Sequence, residues 1–176
     1  MINTKRLDIF PLSYQQLEFY LQNKGMLEKS LGCNFIQREV DEEFKELIEI
    51  DKLPYLSKTG IINPFKTIWM AKLNSSNLLV ADIFFRNIPN EVGSVEIGYS
   101  TYPEFRKKGI MTEMVGLFVA WAFEKPIVNI IRAETLDTNF ASEKLLLANS
   151  FQVFNKKHNV NYWILEKLKN SNTFTK

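Results

Sequence analysis

The sequence predicts a mixed α/β (α+β) fold, with a central, mostly antiparallel sheet flanked by helices. Three apolar runs separated by short turns, within residues 67–101, predict an antiparallel meander. A basic loop, an apolar helix and another apolar run follow over residues 106–135, and this order predicts a βαβ crossover with two parallel strands. Hydrophobic residues make up 45% of the 176-residue chain, which is enough to form a substantial core.

The first half of the chain is predicted to begin with a strand followed by a helix. Residues 6–12, RLDIFPL, alternate polar and apolar side chains, and Ser13 can cap a helix that begins SYQQLEFYLQ. Residues 41–53, DEEFKELIEIDKL, have acids in the first turn and apolar side chains at helical spacing, so they predict an amphipathic helix. Pro54 is predicted to end this helix.

The second half begins with the meander TIWMAKL, LLVADIFFR and SVEIGYST. The next elements are a core helix from Gly109 to Lys125, a buried strand NIIRAET, and a helix capped near Thr138 or Asn139. A hairpin that turns near His158 is predicted to close the fold. We expect a single domain over residues 1–170 and a frayed tail over residues 171–176.

Composition excludes several classes of function. With 22 basic and 20 acidic residues the net charge is only +2, so direct nucleic-acid binding is not expected. Cys33 and His158 are the only cysteine and histidine, so neither a disulfide nor a metal site is predicted. The N-terminus lacks the features of a signal peptide, and the apolar run at residues 114–123 is too short to cross a membrane. These features predict a cytoplasmic protein without membrane association. The sequence does not distinguish a monomer from a homodimer.

The stretch EFRKKGIMTEM, residues 104–114, is the strongest candidate for a binding site. A loop before a helix presents unpaired backbone N–H groups at the positive end of the helix dipole, and basic side chains add charge-assisted hydrogen bonds to a phosphate. A solvated surface turn is the alternative interpretation of these residues alone. Neither the P-loop pattern nor GxGxxG is present.

With its flanking segments, the loop resembles the GCN5-related N-acetyltransferases (GNAT), in particular the bacterial ribosomal-protein N-terminal acetyltransferases. The resemblance rests on VEIGYSTYPEFRKKGIMTEM, IRAET, NFASEKLLLANSF and the N-terminal TKRLDIFPL. Arg106 to Met111 matches the family's [RQ]-x-x-G-x-[GA] loop except at Met111, and Asn139 with Ser142 matches N-x-x-S. The resemblance implies a GNAT fold with a βαβ acetyl-CoA-binding core.

The resemblance also implies which residues bind acetyl-CoA. The loop would hold the pyrophosphate, Asn139 would bond the pantetheine arm, and the strand before the loop would supply main-chain contacts. The implied cofactor-binding residues are Tyr99, Ser100, Thr101, Arg106, Lys107, Lys108, Gly109, Ile110, Met111, Thr112, Asn139 and Ser142.

The implied chemistry is direct acetyl transfer to a primary amine. A backbone N–H of Tyr99 or Ser100 would face the developing oxyanion. Glu96 is the first candidate for the base that takes the amine proton, with Glu134 and Asp82 as alternatives. A solvent-facing strand glutamate is an equally good interpretation of Glu96.

The chain lacks the tyrosine that many acetyltransferases use as the acid that protonates the leaving thiolate. That tyrosine lies seven residues after the asparagine of the N-x-x-[AS] motif, and this position is Leu146 here. The remaining candidate is Ser142, and Tyr162 from the last hairpin is an alternative.

The sequence leaves two functions and several acceptors open. Besides an enzyme, an acetyl-CoA-binding sensor or interaction module that has lost catalysis fits the departures at Met111 and Leu146. The acceptor is a small-molecule or peptide amine, such as a protein N-terminus, a polyamine-like compound or an antibiotic. Acceptor loops are expected between residues 25 and 66 and in the last hairpin. In the first of these regions, Asp41 and its neighbouring glutamates suit either a cationic substrate or a helix N-terminus.

Overall fold

A computed structural model describes residues 1–168, so the predicted tail at residues 171–176 lies outside the described part of the chain. Within that part, the strands form one sheet in the order β1-β2-β3-β4-β5-β6-β8-β7. All neighbours are antiparallel except β5 and β6, which are parallel. The strands are β1 (Ile2–Asn3), β2 (Leu7–Pro11), β3 (Ile68–Leu73), β4 (Leu78–Phe85), β5 (Ser94–Thr101), β6 (Ile130–Leu136), β7 (Gln152–Lys157) and β8 (Val160–Glu166). The predicted meander and mixed sheet are confirmed.

Helices cover both faces of this sheet. They are α1 (Tyr14–Gln22), α2 (Met26–Leu31), α3 (Glu42–Leu47), α4 (Leu53–Thr59), α5 (Ile110–Phe123) and α6 (Phe140–Ala148). Phe44 of α3 stacks on Phe84 of β4, with the ring centroids 4.7 Å apart. On the opposite face, Phe118 of α5 packs on Phe85, also with centroids 4.7 Å apart. Successive residues of β4 therefore face different helical layers.

The start of α1 follows from a reciprocal cap. The Ser13 hydroxyl accepts the backbone N–H of Gln16, and the Gln16 side chain accepts the backbone N–H of Ser13. Each bond satisfies a donor that the first turn of a helix leaves unpaired. The predicted N-cap is confirmed.

The prediction that Pro54 ends the second helical segment is wrong. A single π-helical turn, Ile48–Lys52, connects α3 to α4, and Pro54 lies in the first turn of α4. The Leu53 N–H bonds to the carbonyl of Ile48, five residues back. This wider turn accommodates the proline ring, and a first-turn residue needs no N–H donor, so the chain stays helical to Thr59.

The predicted βαβ crossover is confirmed, and its two parallel strands separate after only a few residues. Pairing between β5 and β6 is confined to residues 94–96 of β5. Beyond that point β5 pairs only with β4, and β6 pairs only with β8. A wedge-shaped gap therefore opens in the middle of the sheet beside residues 97–101.

The register of β4 and β5 fixes which backbone groups face this gap. Arg86 N–H bonds to the Glu96 carbonyl at 2.8 Å, and Tyr102 N–H bonds to the Val80 carbonyl at 3.0 Å. Because bonded and non-bonded pairs alternate along an antiparallel ladder, Tyr99 directs its N–H and C=O away from β4 and into the gap. Ser100 bonds toward Asp82 of β4 instead. Of the two backbone N–H groups that the sequence analysis considered, only that of Tyr99 faces the gap.

Candidate active site

A cleft of about 860 Å³ lies where β5, the basic loop and the first turns of α5 and α6 meet. Every sequence-predicted cofactor residue lines this cleft except Lys108. The other lining residues are Phe105, Phe140, Ala141, Lys144 and Leu145. The fold thus brings together two motifs that are almost 30 residues apart in the chain.

The basic loop has a conformation that exposes backbone donors. Lys107 and Gly109 both adopt left-handed φ angles, 59° and 72°. The first hydrogen bond of α5 runs from the Glu113 N–H to the Gly109 carbonyl at 3.1 Å, so the N–H groups of residues 110–112 have no partner within the helix. Open space around Gly109, where an added Cβ would have a single neighbour at 3.9 Å, leaves room for a ligand atom. The loop is therefore an anion-binding turn in shape as well as in charge.

Arg6 holds this loop in place, a role that the sequence analysis missed. Its guanidinium donates to the Lys108 carbonyl at 2.6 Å and forms an ion pair with Glu113 of α5 at 3.2 Å. The Arg106 side chain donates to the Thr101 carbonyl at 3.1 Å, which connects the loop to the end of β5. The arginine of TKRLDIFPL was the available signal for Arg6, but only the fold shows its partner.

Lys108 does not line the cleft. Its ammonium group lies 5.2 Å from the centre of the Phe105 ring. This cation–π contact holds the charge against Phe105, which is itself on the cleft wall. Arg106 and Lys107 are the loop cations that face the cleft.

The Asn139 side chain can cap α6 and contact a ligand at the same time. Its side-chain oxygen accepts the backbone N–H of Ser142 at 3.1 Å and caps α6. The cap uses only the oxygen, so the side-chain NH2 group stays available on the cleft wall.

Tyr99 and Ser142 meet across the cleft. The Tyr99 hydroxyl is buried and lies beside Ser142, with no hydrogen bond in a favourable geometry. Burial raises the pKa of Tyr99 to about 12, and the neighbouring Ser142 hydroxyl only partly offsets this effect. Leu146 is fully buried, and Tyr162 packs against Phe154 on the last hairpin and lines neither cavity.

A second cavity, of about 500 Å³, lies on the α1–α3 side of the sheet and shares Tyr99 and Ser100 with the cleft. We call it the acceptor cavity. Its wall consists of Tyr20, Glu39, Val40, Asp41, Glu43, Phe44, Glu46, Leu47, Ile50, Asp51, Asp82, Phe84, Arg86, Gly98, Tyr99 and Ser100. The two cavities therefore meet at the point where β5 leaves β6.

Asp82 lies at the buried end of the acceptor cavity. It is 2% exposed and pairs in register with Ser100. The Tyr20 hydroxyl donates to one carboxylate oxygen at 3.2 Å, and the other oxygen, Oδ1, has no partner among the described residues. Burial raises the pKa of Asp82 to about 7, and the bond from Tyr20 and the charge of Arg38 oppose this rise.

Glu96 is placed less favourably than the sequence analysis expected. Its carboxylate forms an ion pair with Arg86 at 3.2 Å and does not line either cavity. Burial, and secondarily the charge of Glu134, raise the pKa of Glu96. Glu134 itself is exposed on β6.

Comparison with known proteins identifies the family. The family model for the acetyltransferase (GNAT) domain matches residues 34–152, more than half of the chain. The chain belongs to the GNAT acetyltransferases. This GNAT protein is 28% identical to an uncharacterized N-acetyltransferase, YjdG, of Bacillus subtilis (strain 168), over 93% of the chain and 96% of the relative.

Solved structures share the fold. The ribosomal-protein-S5-alanine acetyltransferase of Vibrio fischeri superposes with a TM-score of 0.65 at 16% identity, covering 97% of both chains. RimL, a ribosomal L7/L12 α-N-protein acetyltransferase in complex with coenzyme A, gives a TM-score of 0.65 at 15% identity, covering 93% of this chain and 95% of RimL. The predicted fold class and family are confirmed.

Membership of the GNAT family makes the chain an acyltransferase with acetyl-CoA as its cofactor, as the sequence predicts. Among residues 1–168, no helix is long and apolar enough to span a membrane.

Proposed function

We propose that this GNAT protein transfers the acetyl group of acetyl-CoA directly to a primary amine, without an acyl-enzyme. The supporting observation is that two cavities of different character meet at Tyr99 and Ser100. The cleft has basic side chains and no acidic ones on its wall, whereas the wall of the acceptor cavity has six acidic residues and one basic residue. An anionic cofactor and an amine would therefore approach each other from opposite sides of β5.

The cleft residues fit the parts of acetyl-CoA. Arg106, Lys107 and the free N–H groups of residues 110–112 suit the pyrophosphate, and the side-chain NH2 of Asn139 suits an amide carbonyl of the pantetheine arm. Backbone groups of Tyr99 and Thr101 that face the gap can pair with the same arm, as a neighbouring strand would. When bound, the cofactor would supply an activated thioester, and the Tyr99 N–H, which faces the gap, would donate to its carbonyl oxygen.

Asp82 is our candidate for the proton acceptor, with Glu96 as the second. An alkylammonium group at neutral pH must lose one proton before its nitrogen can attack. Asp82 has a free oxygen and a pKa of about 7, and it lies opposite Ser100, whereas Glu96 is held by Arg86. One proton of the ammonium passes to Asp82. As the new C–N bond forms and the C–S bond breaks, a second nitrogen proton passes to the thiolate.

Ser142 and Tyr99 are the candidates that deliver or stabilise this second proton. They lie beside each other in the cleft, at the level of the gap. Ser142 was the sequence-based candidate, and the fold adds the buried Tyr99 hydroxyl, which is free to donate. Together they replace the tyrosine that Leu146 excludes.

Calorimetric titration with acetyl-CoA tests the cofactor site. We expect Arg106→Ala to weaken binding about 10- to 100-fold, because it removes a charge-assisted bond to phosphate. Lys58→Ala removes one positive charge from an exposed position outside both cavities and is the matched control. Absence of binding to the folded wild-type protein would overturn the proposed function.

A catalytically inactive acetyl-CoA-binding module remains the second candidate. The observation that favours it is Leu146, a buried aliphatic residue at the position where many relatives have a tyrosine acid. Thioester consumption with a panel of amines distinguishes the two functions. Tight acetyl-CoA binding without turnover of any amine would establish the second.

A further inference from the structure

We propose that the acceptor is a small aliphatic amine that carries at least one further positive charge, bound in the acceptor cavity with its reacting nitrogen at Asp82. This inference rests on the proposed acetyl transfer and specifies its substrate class. The volume of about 500 Å³ suits a small molecule.

The acceptor cavity has a strong excess of acids. Glu39, Asp41, Glu43, Glu46, Asp51 and Asp82 line it, against one basic residue, Arg86. Arg86 is paired with Glu96, and Asp51 is paired with Lys52 and Lys66. Among the described residues, Glu39, Glu43 and Glu46 form no ion pair. The uncompensated charge of the wall is therefore negative, which attracts cations.

A structural role at the start of α3 accounts for only part of this charge. Asp41 caps the helix by accepting the Phe44 N–H at 3.2 Å. Glu39 lies before the cap, and Glu46 lies beyond the first turn of a segment that stays helical to Thr59, so the dipole at the helix N-terminus does not account for Glu46. Their position on the cavity wall needs another explanation, and a cationic ligand provides one.

Asp82 is an independent indication of a ligand. It is 98% buried, with a carboxylate oxygen that lacks any partner among the described residues, and it forms part of the cavity wall. A buried, unpaired carboxylate oxygen is unfavourable unless a donor reaches it. An ammonium group supplies three donors together with the opposite charge.

Apolar side chains also line the acceptor cavity. Phe44 and Phe84 stack on each other, and Val40, Leu47 and Ile50 complete this part of the surface. Methylene groups of an alkyl diamine can pack on these side chains while its charged ends meet acids of the same wall.

The test compares amines of equal length and different charge. Acetyl transfer to 1,5-diaminopentane and to 1-aminopentane is measured with the full-length protein, and spermidine serves as a third, longer acceptor. We expect kcat/KM for the diamine to exceed that for the monoamine about tenfold or more, since the second charge meets uncompensated carboxylates in a partly enclosed cavity.

A charge-neutralising variant locates the effect. Glu43→Gln combined with Glu46→Gln is expected to lower kcat/KM for the diamine at least fivefold and to change the value for the monoamine less than twofold. Glu91→Gln is the matched control, because Glu91 is exposed and lines neither cavity. An equal effect on both amines, or no effect, would contradict a role of these acids in recognition.

The outcomes separate this inference from the proposed function. Equal kcat/KM for the two amines, or better transfer to a neutral peptide with a free N-terminus, would overturn the substrate class and leave acetyl transfer established. Binding of the diamine to the protein saturated with coenzyme A, measured by calorimetry, supports the cavity even without turnover. If acetyl-CoA binds but the diamine neither binds nor reacts, the inference is wrong.

Discussion

At the residue scale, Asp82 is a proposed catalytic group whose burial lowers the stability of the folded protein. Its carboxyl is buried with one unpaired oxygen, and its pKa in the folded protein is about 7, against 3.8 when exposed. Between these values the folded state binds more protons at Asp82 than the unfolded state does. The contribution of Asp82 to stability therefore falls as the pH rises from about 4 to about 7, and it stays low above pH 7.

Asp82→Asn is expected to stabilise the protein at high pH and to abolish acetyl transfer. The amide keeps the shape and an acceptor for Tyr20 but carries no charge, so the gain in unfolding free energy at pH 8 should exceed that at pH 5 by roughly 1–3 kcal/mol. Urea denaturation of both proteins at pH 5 and pH 8 measures this difference in unfolding free energy. Asp137→Asn, in an exposed turn, is the control. A gain that is independent of pH would show that Asp82 is not ionised above pH 7.

Tyr99→Phe tests the hydroxyl beside Ser142. We expect kcat to fall about 10- to 100-fold, as for the loss of a proton donor, with little change in acetyl-CoA affinity. Because the contact of this hydroxyl with Ser142 is not a well-formed hydrogen bond, thermal stability should change little. Steady-state kinetics with a melting curve separate these effects. A large loss of stability would instead assign Tyr99 a structural role.

At the element scale, Gly98 of β5 sets the shape of the acceptor cavity. An added Cβ would lie 2.5 Å from the Phe84 ring of the neighbouring strand. The glycine thus lets Phe84 lie flat across β5 and stack on Phe44. The position of the Phe84 side chain therefore connects the packing of α3 to the wall of the acceptor cavity.

Gly98→Ala is expected to lower the unfolding free energy by about 1–3 kcal/mol, because Phe84 must move out of its packed position. The displaced ring should also raise KM for the amine, whereas acetyl-CoA binding in the cleft should change little. Adding Phe84→Leu removes the clash and should restore part of the stability. Failure of this second change to restore any stability would contradict the steric explanation.

At the scale of the whole molecule, a buried ion pair connects the helical layer to the active site. Glu28 of α2 pairs with Arg38, and both side chains are almost fully buried. The Arg38 guanidinium also lies 4.9 Å from the centre of the Tyr20 ring, and Tyr20 in turn donates to Asp82. The helices that cover β4 and the candidate base are thus connected through one polar cluster.

Arg38→Ala is expected to lower the unfolding free energy by about 3–5 kcal/mol, since Glu28 would remain buried without its partner. Replacing both residues, with Glu28→Gln and Arg38→Met, should cost less than the single change. Chemical denaturation of the three variants gives the comparison. A double variant less stable than Arg38→Ala would show that the pair itself, and not the orphaned charge, determines stability.

Local chemistry in the sequence was sufficient for the meander, the βαβ crossover, the Ser13 and Asn139 caps and the final hairpin. Turn residues, caps and apolar periodicity are encoded within a few neighbouring residues, so they could be predicted without the fold. The cleft residues followed from the family motif on the same local basis. The prediction that a helix ends at Pro54 was wrong because the sequence does not reveal a π-helical turn. The start of α2 was not predicted because this helix lacks a capping side chain.

Only the tertiary structure decided which groups meet. Separation of β5 from β6 after residue 96 brings the cleft and the acceptor cavity together, and the ladder register selects the Tyr99 N–H. The preference for Asp82 over Glu96 depends on burial and on the partners Tyr20 and Arg86, which are distant or unremarkable in the sequence. The sequence alone determined most of the elements, the family motif and the cofactor class. Proton-transfer roles and acceptor charge depend on distances between remote segments, which local sequence patterns do not encode.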